Sequence, residues 1–179
     1  MAESLQVSPL AHVGFGPGDM AGKHDAAVAE GIREGAKHDG ARGALYGLQA
    51  ALGGLPDVEC PLQHVYAPGV YLRTMFIPAG TLIVGKIHKH AHGNILSQGH
   101  VRVFTEGGGV EELKGPLTMV SAAGTKRAVL ALTDAVWTTI HPTSETDLEK
   151  IEDHVIAKTY EDYEQFLLSE QPKNLEIQP

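Results

Sequence analysis

The chain has 179 residues, a formal net charge of −8 with histidines neutral, and a hydrophobic fraction of 42%. That length suits one domain with a sizeable core. The acidic balance argues against nucleic-acid partners, which need clustered Lys and Arg. The longest apolar runs fall far short of a membrane span, so no membrane partner is expected. The N-terminus shows no basic segment leading into an apolar one, so no secretory signal is expected. Cys60 is the single cysteine, which excludes an internal disulfide and fits a reducing cytoplasm.

Residues 1–40 hold seven glycines and few large apolar side chains. Such a segment cannot bury a core of its own. Ordering it costs roughly 1–2 kcal/mol per residue. It is therefore expected to lie as an arm on a neighbouring subunit or partner. Residues 41–52 place Leu45, Leu48 and Leu52 on one helical face, ended by Gly53-Gly54. From about residue 60 the texture turns to short strands with turns every 8–12 residues or so, the pattern of a sandwich or barrel. Val70–Ile77 is a strand ended by Pro78-Ala79-Gly80. Thr81–His92 is one extended stretch, Asn94–Ser97 a short one, and His100–Thr105 and Val110–Lys114 form a hairpin around Gly107-Gly108-Gly109. Leu117–Val120, Arg127–Leu132 and Ala135–His141 complete the series. After Pro142 the chain turns helical: Thr146 to Glu149 reads as a capping box, with Leu148, Ile151 and Val155 on one face. A second helix is expected over Tyr160–Leu168, and the tail from Pro172 is polar. The expected organisation is an arm with short helices over 1–54, a β-barrel over 55–142, and helices with a tail over 143–179.

His88-Lys89-His90-Ala91-His92 carries the chemistry. On an unbroken strand these imidazoles share one face, and neutral imidazole is the commonest protein ligand for transition metals. His88 and His90 are the first candidates as metal ligands. His141 is the expected third donor, if its strand lies beside theirs, and His92 a further one. The alternative is barrel-interior histidines bonded to hydroxyls and backbone. Arg127 is either an anion clamp or a salt-bridge partner of Glu106, Glu111 or Glu112. Asn94 either completes a ligand set or holds a turn. Trp137 reads as core, and Cys60 has no nearby base that would make it a nucleophile.

These residues resemble the cupin superfamily. The first cupin motif pairs HxH with an acidic residue and then a glycine turn; here His88 and His90 are followed by Asn94 in the acidic place and by Gly99. In the second motif Gly115 opens, Ala122-Ala123-Gly124 stands for the PxG turn, and Arg127 takes the histidine position. The resemblance covers roughly residues 60–142. The runs GKIHKHAHGNILSQG, AGTKR and VWTTIHPTSETDLEKIE are further similar to small cupin-like proteins encoded by tailed bacteriophages. The resemblance implies an all-β, cupin-type double-stranded β-helix (a jelly-roll barrel) that assembles as a homo-oligomer. It also implies a pocket for one divalent transition metal such as Zn, Fe, Ni or Mn. The reading it favours is a non-enzymatic virion or assembly component, made in the host cytoplasm, with other virion proteins as partners. The alternative is a metal-dependent enzyme or ligand-binding module acting on a small anionic molecule held by Arg127.

Overall fold

The computed structural model describes residues 12–13, 40–52, 55, 58–107 and 109–171. The expectation of an arm crossing to a neighbour, and the polar tail, lie outside them, apart from a two-residue strand β1 (His12–Val13) and Gly40. The barrel strands are β2 (Leu62–Ala67), β3 (Val70–Ile77), β4 (Leu82–Val84), β5 (Ile87–His88), β6 (His92–Gln98), β7 (His100–Thr105), β8 (Gly109–Lys114), β9 (Leu117–Ser121), β10 (Arg127–Ala131) and β11 (Ala135–His141). Apart from β5, these strands together with β1 form two five-stranded antiparallel sheets, β1-β4-β10-β7-β8 and β2-β3-β11-β6-β9. Without β1 and β2 each sheet keeps four strands, and successive strands switch sheets except at the β7–β8 hairpin, as in a jelly roll. The fold is a cupin-type double-stranded β-helix with helices at both ends.

Two strands read as continuous apolar runs for a physical reason. Leu82, Val84, Ala128 and Leu130 on β4 and β10 face outward, and helix α1 (Gly40–Leu52) covers them with Leu45, Leu48 and Leu52. Ile83 and Val129 face inward and join Met75, Leu96, Val101 and Trp137 in the barrel core. Strands buried on both faces lose the period-two alternation. Each buried leucine of α1 stabilises the domain by about 1.5–3 kcal/mol.

Register sorts the inward side chains of the second sheet into rows. One row holds Tyr66, Tyr71, His141, His92 and Ser121, and the next holds His64, Arg73, Thr139, Asn94 and Met119. Behind them come Leu62, Met75, Trp137, Leu96 and Leu117, then Ile77 and Ala135. The barrel is therefore polar at one end and apolar at the other.

The C-terminal segment roofs the polar end. Helix α2 (Leu148–Val155) buries Ile151 and Val155 against Tyr71. Its N-cap is Asp147, whose carboxylate accepts from the Glu149 and Lys150 amides, one residue later than the expected Thr146. Strand β12 (Ile156–Ala157) pairs with β5. Helix α3 (Tyr160–Glu170) starts from a capping box of Thr159 and Asp162. The Tyr160 hydroxyl and Arg42 Nε both donate to Glu106 Oε2 at 2.7 Å, tying α3, α1 and the β7–β8 hairpin together.

The expected single stretch Thr81–His92 is broken after Val84 and again after His88, giving β4, β5 and the first residue of β6. The short stretch Asn94–Ser97 extends to His92–Gln98, and β2 is an edge strand that the sequence reading did not anticipate.

Candidate functional site

The bend after β5 decides which histidines meet. The Lys89 amide donates to the Val155 carbonyl and the Gly124 amide donates to the His88 carbonyl, both at 2.8 Å, so the chain is pinned on either side of the turn. The pleat is interrupted there, and i, i+2 alternation no longer applies. The His88 and His92 rings stack with centroids 4.0 Å apart, and His141 lies 5.1 Å from the first and 4.9 Å from the second. One nitrogen of each ring lies within 4.8 Å of the others. His90, expected to pair with His88, is turned away from this cluster. Its ring packs 5.0 Å from His154 and 5.2 Å from Phe166, against the C-terminal helices. His92 takes the place that the HxH spacing assigns to His90.

The donor set suits a transition metal. Burial pushes His88 down to about 2 and His141 to about 4, and lowers His92 as well; neighbouring imidazoles and arginines add to the effect. All three are neutral near pH 7, as ligation requires. The His92 Nδ1–H donates to the His90 carbonyl at 3.2 Å, because a carbonyl can only accept, and this leaves Nε2 as an acceptor. His88 Nδ1 is buried with no hydrogen-bond partner among the described residues. Buried polar atoms are rarely left so, and each exception calls for a reason. Three neutral imidazoles with no carboxylate could hold Zn, Fe, Ni or Cu.

Arg127 extends into the cavity rather than to a surface glutamate. Its Nη2 donates to Ser121 Oγ and its guanidinium lies 5.8 Å from the Trp137 ring centre. Two of the three glutamates proposed as its alternatives do other work: Glu106 binds Arg42, and Glu112 binds Arg102 and His100. Asn94 has its polar atoms committed. Its Oδ1 accepts from the Trp137 indole at 2.9 Å, and its Nδ2 donates to Ser121 Oγ at 2.8 Å and to the His92 carbonyl at 3.3 Å. It positions Ser121, and through it Arg127. A turn role does not apply, since Asn94 is inside β6.

Sequence reasoning missed Arg73, His64, Tyr71 and Ser121. Arg73 lines the cavity from β3, and burial lowers its pKa. A signal was present: Tyr71, Arg73, Met75 and Ile77 share inward parity, so a charge sits on an otherwise buried strand face. The Tyr71 hydroxyl bonds His64 Nδ1 at 2.7 Å, and its ring stacks 6.2 Å from His141. The cavity has a volume of about 190 Å³. That is below the roughly 300–1,000 Å³ of drug-sized sites. Leu62, Met75, Ile77, Ile83 and Val129 line its apolar end, and Leu148, Ile151 and Val155 of α2 line its roof. Glu152 at the rim pairs with Lys86. The Cys60 thiol is pushed up to about 11 by burial and is inert.

These buried imidazoles set the acid stability of the metal-free protein. They are neutral when folded, while in the unfolded chain they titrate near 6.5. The unfolded state therefore binds more protons below that value, and stability is lost as pH falls. The urea midpoint of chelator-treated protein is expected to be flat above about pH 7 and to drop between roughly pH 6.5 and 4.5, each group adding up to about 1.4 kcal/mol per pH unit. A midpoint unchanged from pH 7.5 to 5 would show that the rings are solvated.

No family model matches the chain, and no curated protein matches it. Solved structures do. A double-stranded β-helix cupin from Methanocaldococcus jannaschii is 11% identical, with 52% of this chain and 86% of that one covered, at a TM-score of 0.42. Ectoine synthase from P. lautus is 13% identical over 57% and 78% of the two chains, at 0.47. A cupin-2 domain protein from Shewanella frigidimarina is 9% identical over 52% and 91%, at 0.40. No helix among the described residues is long and apolar enough to cross a membrane. The cupin-type architecture stands on this chain's own strand order and register.

Proposed function

We propose that the protein is a metal-dependent cupin-fold enzyme or binding module. His88, His92 and His141 hold one divalent transition metal, and a small anionic molecule lies beside it. The observation that carries this reading is the convergence of three neutral imidazoles, one with an unpartnered buried nitrogen, at the polar end of the barrel cavity. Three protein ligands leave coordination positions open, and a metal bound there supplies a Lewis acid. The residues around it do the rest. Arg73 and Arg127 attract and orient the anion. The apolar end and α2 exclude water. The alternative of an assembly component rests on the sequence resemblance and on residues 1–40. Of those, only His12, Val13 and Gly40 are described, and no described residue speaks for it.

Protein purified without chelator is expected to contain close to one equivalent of a single metal. The chelated form should bind Co(II) with the absorption of a nitrogen-ligated, low-coordinate site. Less than about a tenth of an equivalent, with no Co(II) spectrum, would sink the metal assignment.

A further inference from the structure

The cavity holds two guanidiniums and no carboxylate that pairs with either. Among the described residues Arg127 hydrogen-bonds only Ser121, and it faces the Trp137 ring. The Arg73 guanidinium has no hydrogen-bond or ion-pair partner among the described residues, although it is an inward-facing side chain of a central barrel strand. Among the described residues on the cavity wall the one acidic group, Glu152, pairs with Lys86 and acts on Arg73 only at a distance. A half-buried guanidinium with no direct ion pair is costly to keep and marks a candidate anion site.

The two cations also stand apart. Arg127 is anchored on Ser121 of β9, the strand partner of His92. Arg73 projects from β3, one inward step behind Tyr71, the strand partner of His141. Strands β3 and β9 are separated by β11 and β6. Strand spacings of ~4.8 Å put their backbones roughly 14 Å apart. The electrostatics agree with this placement: Arg127 acts on His92, Arg73 acts on His141, and both act on His88. The three imidazoles thus lie between the anchor points of the two guanidiniums on β3 and β9.

We propose that the ligand is a small dicarboxylate, with one carboxylate on Arg73, the other on Arg127, and a short spacer passing the three histidines. This deepens the reading above and rests on its anion-binding half. The cavity volume of about 190 Å³ suits a spacer of a few carbons rather than a sugar or nucleotide. The Met75, Ile83 and Val129 side chains behind it favour an apolar spacer.

The test is calorimetric titration of the full chain with butanoate, succinate, glutarate, adipate and inorganic phosphate, in both chelated and metal-loaded forms. Wild type, Arg73→Gln and Arg127→Gln are compared, with Arg73→Lys and Arg127→Lys as second variants should either glutamine protein fail to fold. One dicarboxylate is expected to bind at least tenfold tighter than butanoate. That ratio should collapse to within about threefold in either glutamine variant, and the lysine variants should keep part of it. Equal binding of mono- and dicarboxylates would overturn the proposal, since both arginines would then grip one group. So would phosphate binding as tightly as the best dicarboxylate with no effect of Arg73→Gln. The metal arm separates the two ideas. A dicarboxylate preference in protein that takes up no metal removes the metal assignment alone, and a metal-loaded protein without the preference removes this proposal alone.

Discussion

His88→Ala is expected to lower metal affinity by at least 100-fold and to make the metal-free protein less sensitive to acid. Removing a ligand outright should cost no less than the 10–100-fold loss seen for the partners that merely orient ligands. The acid effect follows from burial. The His88 imidazole is held neutral far below its ordinary range, so the unfolded chain gains a proton that the folded chain refuses. Deleting the ring removes up to about 1.4 kcal/mol per pH unit from the slope between roughly pH 6.5 and 4.5. Elemental analysis and urea midpoints at pH 7.5 and 5 check both outcomes. His90→Ala is the control that separates geometry from motif, because its ring packs on His154 and Phe166 rather than on the cluster. Wild-type metal content is expected there. If His90→Ala empties the site and His88→Ala does not, the ligand set proposed for this bend is wrong.

Gly99→Ala is expected to destabilise the fold by about 3–5 kcal/mol, a large part of the 5–15 kcal/mol that domains have. Gly99 joins β6 to β7 with φ +100°, and a Cβ there would lie 2.6 Å from both Ala135 Cα and the Asp134 carbonyl oxygen. Those are backbone atoms of the β10–β11 turn and cannot rotate aside. Strain of 1–3 kcal/mol from the backbone conformation adds to overpacking of similar size. Gly69→Ala supplies the comparison. Its φ is +78°, but nothing lies within 4 Å of the added carbon, so only the backbone term remains. Denaturant midpoints of the two variants should differ by about 2 kcal/mol or more in free energy. Equal losses would mean that the β10–β11 turn yields.

The barrel was legible in the sequence because its turns are chemical. Pro78-Ala79-Gly80, Gln98-Gly99 and the glycines after Glu106 mark strand ends that register confirms, and Val70–Ile77 and Ala135–His141 match to the residue. The α1 face was legible because Leu45, Leu48 and Leu52 repeat at helical spacing. Strand β2 was not, since Gln63, His64 and Tyr66 break the apolar pattern of an edge strand whose inward side lines a polar cavity. The site was half legible. Histidine density pointed to the right segment. The choice of His90 over His92 failed because a two-residue tertiary ladder between β5 and β12 bends the chain, and such a pairing leaves no local trace. Asn94 was read by motif position, while its real role depends on Trp137, 43 residues away, and on Ser121, 27 residues away.

The roof over the histidines also sets a clock. It is one eight-residue helix and a two-residue strand, held at its rim by the Lys86–Glu152 pair and by Lys89 Nζ on the Asp153 carbonyl. Short elements tied by exposed ion pairs open at far lower free energy than barrel strands do. An opening of residues 148–157 would therefore widen the way to the histidines beyond the part of the cavity that already meets solvent. A ligand held at the arginines would leave faster each time the roof opened. Residence time would then depend on the rim contacts that hold the roof down, Lys86 with Glu152 and Lys89 with the Asp153 carbonyl, as well as on the groups that grip the molecule.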